Sequence, residues 1–355
     1  MEFLKKYFQR IFIDGLSGMA LGLFCTLIVG TIIQQVSSFV GGSVGSQLYT
    51  IGKVASVLTG AGIGCGVAYK FKESPLVVLS AATAGMVGAY ASKILAGTLV
   101  VKGAVSLAGP GEPLGAFIAA YVAIEIGHII SGKTGIDIIL TPSVSILAGS
   151  FVGILIGPGV SSFMADIGAI INWSTENGNP LIMGIVVSVV MGMVLTLPIS
   201  SAALGIILNL NGLAAGAATV GCCANMIGFA VISFRENGFG GFIAQGLGTS
   251  MLQVPNIIKK PTIWLPAILS SAILGPVSTM VFQMKNSAAG CGMGTAGLVG
   301  QMTTYETMSS GGNTTIVLAK IIILHFILPA ILSLGIAEFM RKKGWIKGND
   351  LKLDI

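Results

Sequence analysis

GPGEPLGAFIAAYVAIEIGHIISGKTGIDIILT, residues 109–141, decides how the rest of the chain is read. It sets Glu112, Glu125, His128, Lys133 and Asp137 into a background apolar enough to cross a membrane. A charge at the centre of a bilayer costs about 2.5 to 3.5 kcal/mol unless it is paired or faces a cavity. This concentration of ionisable groups therefore calls for a cause. On a helix Glu125 and His128, three residues apart, share one face with Tyr121. Lining a solute path is one cause; a Glu-His pair that ties two helices together is the structural alternative.

Outward from this stretch the composition is uniform. The 355 residues are 54% hydrophobic and only 9% charged, with a mean hydropathy of +0.92. Soluble domains carry about 25% charged residues, so the class is an all-α integral membrane protein. The 51 glycines suit helices that pack closely through small residues. Net charge is +6; its lysines flank the apolar runs, so it signals orientation in the lipid bilayer and not a nucleic-acid partner. The five cysteines form no Cys-x-x-Cys pair and no His/Cys cluster, which argues against a metal centre or disulfide framework and for small buried side chains. No cofactor is implied.

A spanning helix needs about 20 apolar residues. Ten candidates follow: Gly15–Val40, Leu48–Tyr69, Pro75 to about Val100, Leu114–Ile130, Ser143–Val160, Leu181–Ser201, Leu213–Phe234, a short Phe239–Val254, Thr262–Phe282 and Thr314–Met340. The chain 1–355 thus reads as one transmembrane domain, with an amphipathic lead-in at 1–14 and a tail at 341–355 too short to fold alone. With the N-terminus inside, the inner segments hold Lys5, Lys6, Arg10, Lys70, Lys72, Lys133, Lys259, Lys260, Arg341, Lys342, Lys343, Lys347 and Lys352. The outer loops hold only Lys102, Arg235 and Lys285. That bias places both termini in the cytoplasm and makes the number of spans even.

Three segments make poor spans: Gly109–Gly115, Thr196–Asn211 and the glycine-rich Ser287–Gln301, which is expected to be re-entrant. Irregular backbone at membrane depth persists where protein or a water-filled cavity surrounds it, and transporters bind solute at such breaks. IGPGVSSFM (Ile156–Met164) echoes LGPVSTMVF (Leu274–Phe282), which would suit a duplicated core, although Gly-Pro is also a plain helix stop. GAGIGCG (Gly60–Gly66) lies inside an apolar span with no strand before it, so close packing of Gly62 and Gly66 explains it better than phosphate binding. His325 reads as a buried, satisfied histidine, with Lys320 in the same span. The remaining polar residues are amides and hydroxyls: Asn209, Asn211, Asn225, Gln245, Gln253, Asn256, Gln301, Thr303 and Asn313. Amides beside a carboxylate suit a neutral polyhydroxylated ligand, while helix-to-helix bonding would account for the same residues without one.

GPGEPLGAFIAA, GKTGIDIILTP, LPISSAALG, GLAAGAATVGCCANMIGFAV, GLGTSMLQVPNI and GCGMGTAGLVGQ together resemble the EIIC-type membrane family of the phosphotransferase system, in its PfoR-like branch. The resemblance runs from about Gly15 to Phe339. It implies an EIIC-like permease in the cell membrane, a homodimer, moving a small polar solute such as a sugar. The Gly111-Glu112-Pro113 element is similar to the Glu-Pro element of sugar-binding loops in the wider family, which implies Glu112 as an acceptor for sugar hydroxyls. Glu125, His128, Asp137, Asn209, Asn211, Asn225, Gln301 and Thr303 complete the expected binding set. The chain carries no phosphocysteine or phosphohistidine domain, so phosphorylation would come from a separate EIIB-type phosphocarrier and the chain is at most the membrane subunit of a sugar phosphotransferase. The alternative is a non-transporting sensor that binds such a solute and regulates.

Overall fold

The computed structural model describes residues 9–176, 178–309 and 314–353. Lys5, Lys6 and Asn313 lie outside them. Most of the described chain is helical; among the described residues the only strands are the hairpin Val100–Val101 with Ala104–Val105. Two compact units result, with the boundary between Phe163 and Met164.

Among the described residues six helices are long and apolar enough to cross a membrane: Arg10–Val40, Pro113–Ile130, Asp137–Thr175, Gly212–Ile232, Pro261–Phe282 and Thr314–Lys342. The pair Gly42–Val57 and Thr59–Lys70, bent by 55° at Leu58, makes a seventh if it is one broken span. Pro75–Ala89 and Pro180–Thr196 are shorter apolar helices. The ten expected spans are therefore not all seen. Phe239–Val254 divides into short pieces, because Gly238 turns left-handed (φ 60°) before it and Thr249 is extended within it. The third span breaks at Tyr90, resumes only as the short helix Ala91–Leu95, and gives way to the hairpin. The first helix begins at Arg10, within the expected lead-in. Neither Gly-Pro pair is a stop: Asp137–Glu176 runs through Pro142 and Pro158, and helix continues past Pro276 to Phe282. Lipid-embedded helices tolerate such prolines because neighbouring groups re-satisfy the freed carbonyl.

Glycine sets the packing of the first unit. Gly18 and Gly22 of the first helix meet Gly66 and Gly62 of Thr59–Lys70, and a Cβ added at Gly18 would lie 2.6 Å from the Gly66 carbonyl oxygen. That contact accounts for the GAGIGCG run without any ligand. In the second unit Gly212–Ile232 is the central helix, buried along almost its whole length. Pro180–Thr196, Pro261–Phe282 and Thr314–Lys342 pack on it. Its Gly221 backbone lies directly on Ser188, as Gly184 lies on Gly275. Cys222, Cys223 and Cys291 are buried as expected, whereas Cys25 is exposed.

The tail after Arg341 docks back instead of trailing. Ile346 and Leu351 are 2% and 0% exposed. Asn237 and Gln253 both donate to the Leu351 carbonyl, at 2.8 and 3.0 Å, and Asn256 donates to that of Lys352 at 2.9 Å. Lys260 Nζ meets Asp350 Oδ2 at 2.6 Å. Burial alone would push the Asp350 carboxyl up, but Lys260 and the Lys347 N–H outweigh it and hold it below its ordinary value. A depressed carboxyl stabilises above its unfolded pKa and loses that contribution as pH falls through the folded value. Asp350→Asn is therefore expected to melt earlier at neutral pH, by about 0.5 to 1 kcal/mol for a partly exposed pair. The gap should close as pH drops below the ordinary aspartate range, which paired melting curves across pH would check.

Candidate functional site

The expected binding residues fall in both units. In the first, Glu112 stands at the start of Pro113–Ile130, its backbone N–H bonded to the Ala89 carbonyl at 2.8 Å. Tyr90 OH donates to the Gly109 carbonyl, and Lys93 Nζ to that of Ala108 at 2.6 Å. Gly111 (φ +76°) lies against Ala89, where a Cβ would come within 2.7 Å. The GPGEP loop is thus held from behind by the end of Pro75–Ala89, and Glu112 Oε1 is shielded from solvent.

Glu125 and His128 do share a face, but the charges they meet come from elsewhere in the chain. Arg10 Nε donates to Glu125 at 2.7 Å, and its Nη2 lies 3.2 Å from Glu73. The second Glu73 oxygen is 3.0 Å from His128 Nδ1. The guanidinium also sits 4.1 Å from the centre of the Phe71 ring, which packs edge-on against Tyr121. Glu73, at 5% exposure, is the buried centre of the group, and His128, at 62%, its outer member. The four groups join the first helix, the turn after Lys70 and the end of Pro113–Ile130. Arg10 and Glu73 stand 63 residues apart, so no local spacing signals them. Asp137 opens its helix, where an acid is favoured by the helix dipole, and accepts from Thr141 at 2.6 Å.

In the second unit the two remaining poor spans come together. Leu197–Ser200 leaves the helix, and irregular chain runs from Gln283 to Thr295. Ser201 Oγ donates to the Gly292 carbonyl at 2.6 Å. Gly212 and Asn286 exchange backbone bonds at 3.1 and 3.2 Å. Lys320 Nζ donates to the Phe282 carbonyl at 2.8 Å, which explains a lysine within an apolar helix. Much of the irregular stretch, including Cys291, Gly292, Gly294 and Thr295, is buried in protein, as backbone at membrane depth requires.

Around these breaks the amides differ in what they have left to offer. Asn225, fully buried, donates to the Gly221 carbonyl and Ser271 Oγ and accepts from Trp264 Nε1 and Thr196 Oγ1, at 2.8 to 3.2 Å. Two donors and two lone pairs are all an asparagine has. Asn209 and Asn211 are exposed and bonded to each other in a turn, with Asn209 left-handed. Thr303 bonds back to Val299 within its own helix, and Gly290 packs on it.

Gln301 is otherwise. Its Nε2 reaches Cys223 Sγ at 3.3 Å and His325 Nδ1 at 3.2 Å, while its Oε1 and His325 Nε2 are buried with no hydrogen-bond partner. With Gln301 donating to Nδ1, the ring carries its proton on Nε2. The pair then has one unused donor and one unused acceptor, and exchanging the amide's two ends leaves the same tally. His325 also lies in a π-helical turn, Ile323–Ile327, a distortion frequent at functional sites. The sequence presents it as an ordinary core histidine; only its distant partner marks it out.

Residues 13–353 match the protein family described as "Phosphotransferase system, EIIC". No curated protein matches the chain.

Proposed function

This chain belongs to the phosphotransferase-system EIIC family, a multi-pass membrane permease family, and on that premise we propose that it translocates a sugar or sugar-like solute phosphorylated by a separate EIIB-type protein. Its setting in this reading is the cell membrane, as a homodimer of single EIIC-like domains with both termini cytoplasmic. The observation that carries the reading is the Gln301–His325 pair beside two broken segments. An unused buried donor and acceptor, each costly to leave unmade, suit a solute hydroxyl, which accepts and donates at once. Glu112 is proposed as a further hydroxyl acceptor on the strength of its Gly-Glu-Pro element, and Glu125 with His128 as polar groups of the first unit's solute path. Asn225 and Thr303 support the second unit's site from behind. Asp137, Asn209 and Asn211 keep a weaker claim, since their bonds are local.

Uptake of labelled sugars into proteoliposomes, with and without a phosphorylated EIIB-type partner, tests the reading. Gln301→Leu is expected to insert normally and lower flux at least about fivefold, as the loss of a contact worth about 1 to 3 kcal/mol predicts. His325→Gln, which keeps one donor and one acceptor, should retain more flux than His325→Phe. Binding of a sugar without flux of any kind would favour the non-transporting sensor.

A further inference from the structure

The docked tail turns an unusual face outward. Lys342, Lys343, Lys347 and Lys352 are exposed, and so is Lys259 on the element beneath. None of these five makes an ion pair among the described residues. Among the described residues the carboxylates at this end are held by other groups: Glu236 and Glu338 by Arg341, and Asp350 by Lys260, with the Lys347 charge also acting on Asp350. Hydrogen bonds from the side-chain amides of Asn237, Gln253 and Asn256, with Leu351 buried beneath, hold the tail backbone, so the Cα positions of its lysines are fixed. Between them Phe339 and Trp345 are 55% and 53% exposed, and Lys343 Nζ lies 5.9 Å from the Phe339 ring centre. Phe339 is in the last turn of an apolar membrane helix, and Trp345 follows within two turns' length of chain.

We propose that this face is a binding surface for anionic phospholipid headgroups. Aromatic rings with one wet edge sit at headgroup level, and juxtamembrane lysines are drawn to anionic lipid. An acidic soluble partner would account for the lysines alone. It would not account for two large rings held half-bare where a membrane helix ends. Because the tail is anchored by its own backbone, the cations are pre-ordered and lose little freedom on meeting phosphate oxygens. The proposal does not depend on which solute the protein moves.

Trp345 supplies its own probe. The full chain is placed in phosphatidylcholine discs containing a small fraction of nitroxide-labelled lipid, the label carried either on phosphatidylglycerol or on phosphatidylcholine. Subtracting the same measurement on Trp345→Phe isolates the emission of this one indole from Trp173 and Trp264. Labelled phosphatidylglycerol is expected to be enriched at Trp345 at least about fivefold over labelled phosphatidylcholine, the ratio that about 1 kcal/mol from a single lysine would give. The quintuple variant Lys259→Gln, Lys342→Gln, Lys343→Gln, Lys347→Gln, Lys352→Gln alters only exposed side chains and should bring the two labels level. Equal quenching in the parent protein, or a preference that survives the quintuple variant, overturns the proposal. Retention of a polyglutamate peptide without any headgroup preference would assign the face to an acidic protein instead.

Discussion

Gly221→Ala is expected to remove most of the folded protein, although it adds one methyl group. The helices Gly212–Ile232 and Pro180–Thr196 cross with backbone on backbone, and a Cβ at 221 would overlap the Ser188 carbonyl. Backbone cannot swing aside as a flexible side chain would. The helices must separate, and they are also fixed by Gly184 on Gly275. The Gly221 carbonyl accepts from Asn225 and Ser271, so the same shift strains two buried bonds. Overpacking a packed contact costs about 1 to 3 kcal/mol; backbone against backbone belongs at the upper end, and the bonds add to it. Gly335→Ala is the control: nothing lies within 4 Å of a Cβ there, and alanine is the better helix former by about 1 kcal/mol. Thermal midpoints in detergent should separate the two, with Gly335→Ala at or above the parent and Gly221→Ala far below it.

Asn225→Leu should be the second most damaging change, by about 2 to 4 kcal/mol, from the buried polar groups it leaves unpaired. Leucine keeps the branching of asparagine with two bulkier methyl groups, so some strain against the closely packed Gly192 adds to the lost hydrogen bonds. Trp264 Nε1, bonded to Asn225 at 2.8 Å, would be left as a buried donor without a partner. Thr196 keeps its bonds to Gly192 and Ser250 and is hurt less. Trp264→Phe removes the orphaned donor, so the double variant should be more stable than the sum of the two losses, by about 1 to 2 kcal/mol. Simple additivity would mean that Asn225 acts on stability by another route. Both variants also bear on function: since all four of its hydrogen-bonding positions are occupied, a stable Asn225 variant should lose transport only as far as the breaks it supports are displaced.

Most of the spans could be read from the chain because apolar length is a local property. So could the Gly62–Gly66 packing, because small residues one helical turn apart clear a strip where a second backbone can lie. The breaks at Thr196–Asn211 and Ser287–Gln301 were legible too, as stretches unsuited to lipid. What could not be read was pairing at a distance. Arg10 reaches Glu125 across 115 positions, and the cluster looks in sequence like basic residues before a span and a stray Glu-His pair. Gln301 and His325 are 24 residues apart on different helices, and only their contact shows which polar atoms remain unused. Phe239–Val254 misled because its composition is apolar while its backbone turns at Gly238 just before it and is broken at Thr249 within it. The tail misled in the opposite sense, since its lysines hide three apolar residues, Ile346, Leu351 and Leu353, that find cover in a fold they could not build.

The short elements between Ala244 and Gln253 touch both that tail and the breaks. Gly246 accepts from Thr295 of one irregular segment, and Ser250 bonds Thr196 beside the other at 2.8 Å. From the same stretch Gln245 and Gln253 are bonded to each other at 2.9 Å, and Gln253 holds the tail. The tail is thereby an external indicator wired to the interior. A fluorophore on its exposed side can be watched from water, without touching the residues that meet solute. Any cycle that displaces Thr295 or Thr196 must stretch or carry these bonds, so its tempo becomes readable at the surface.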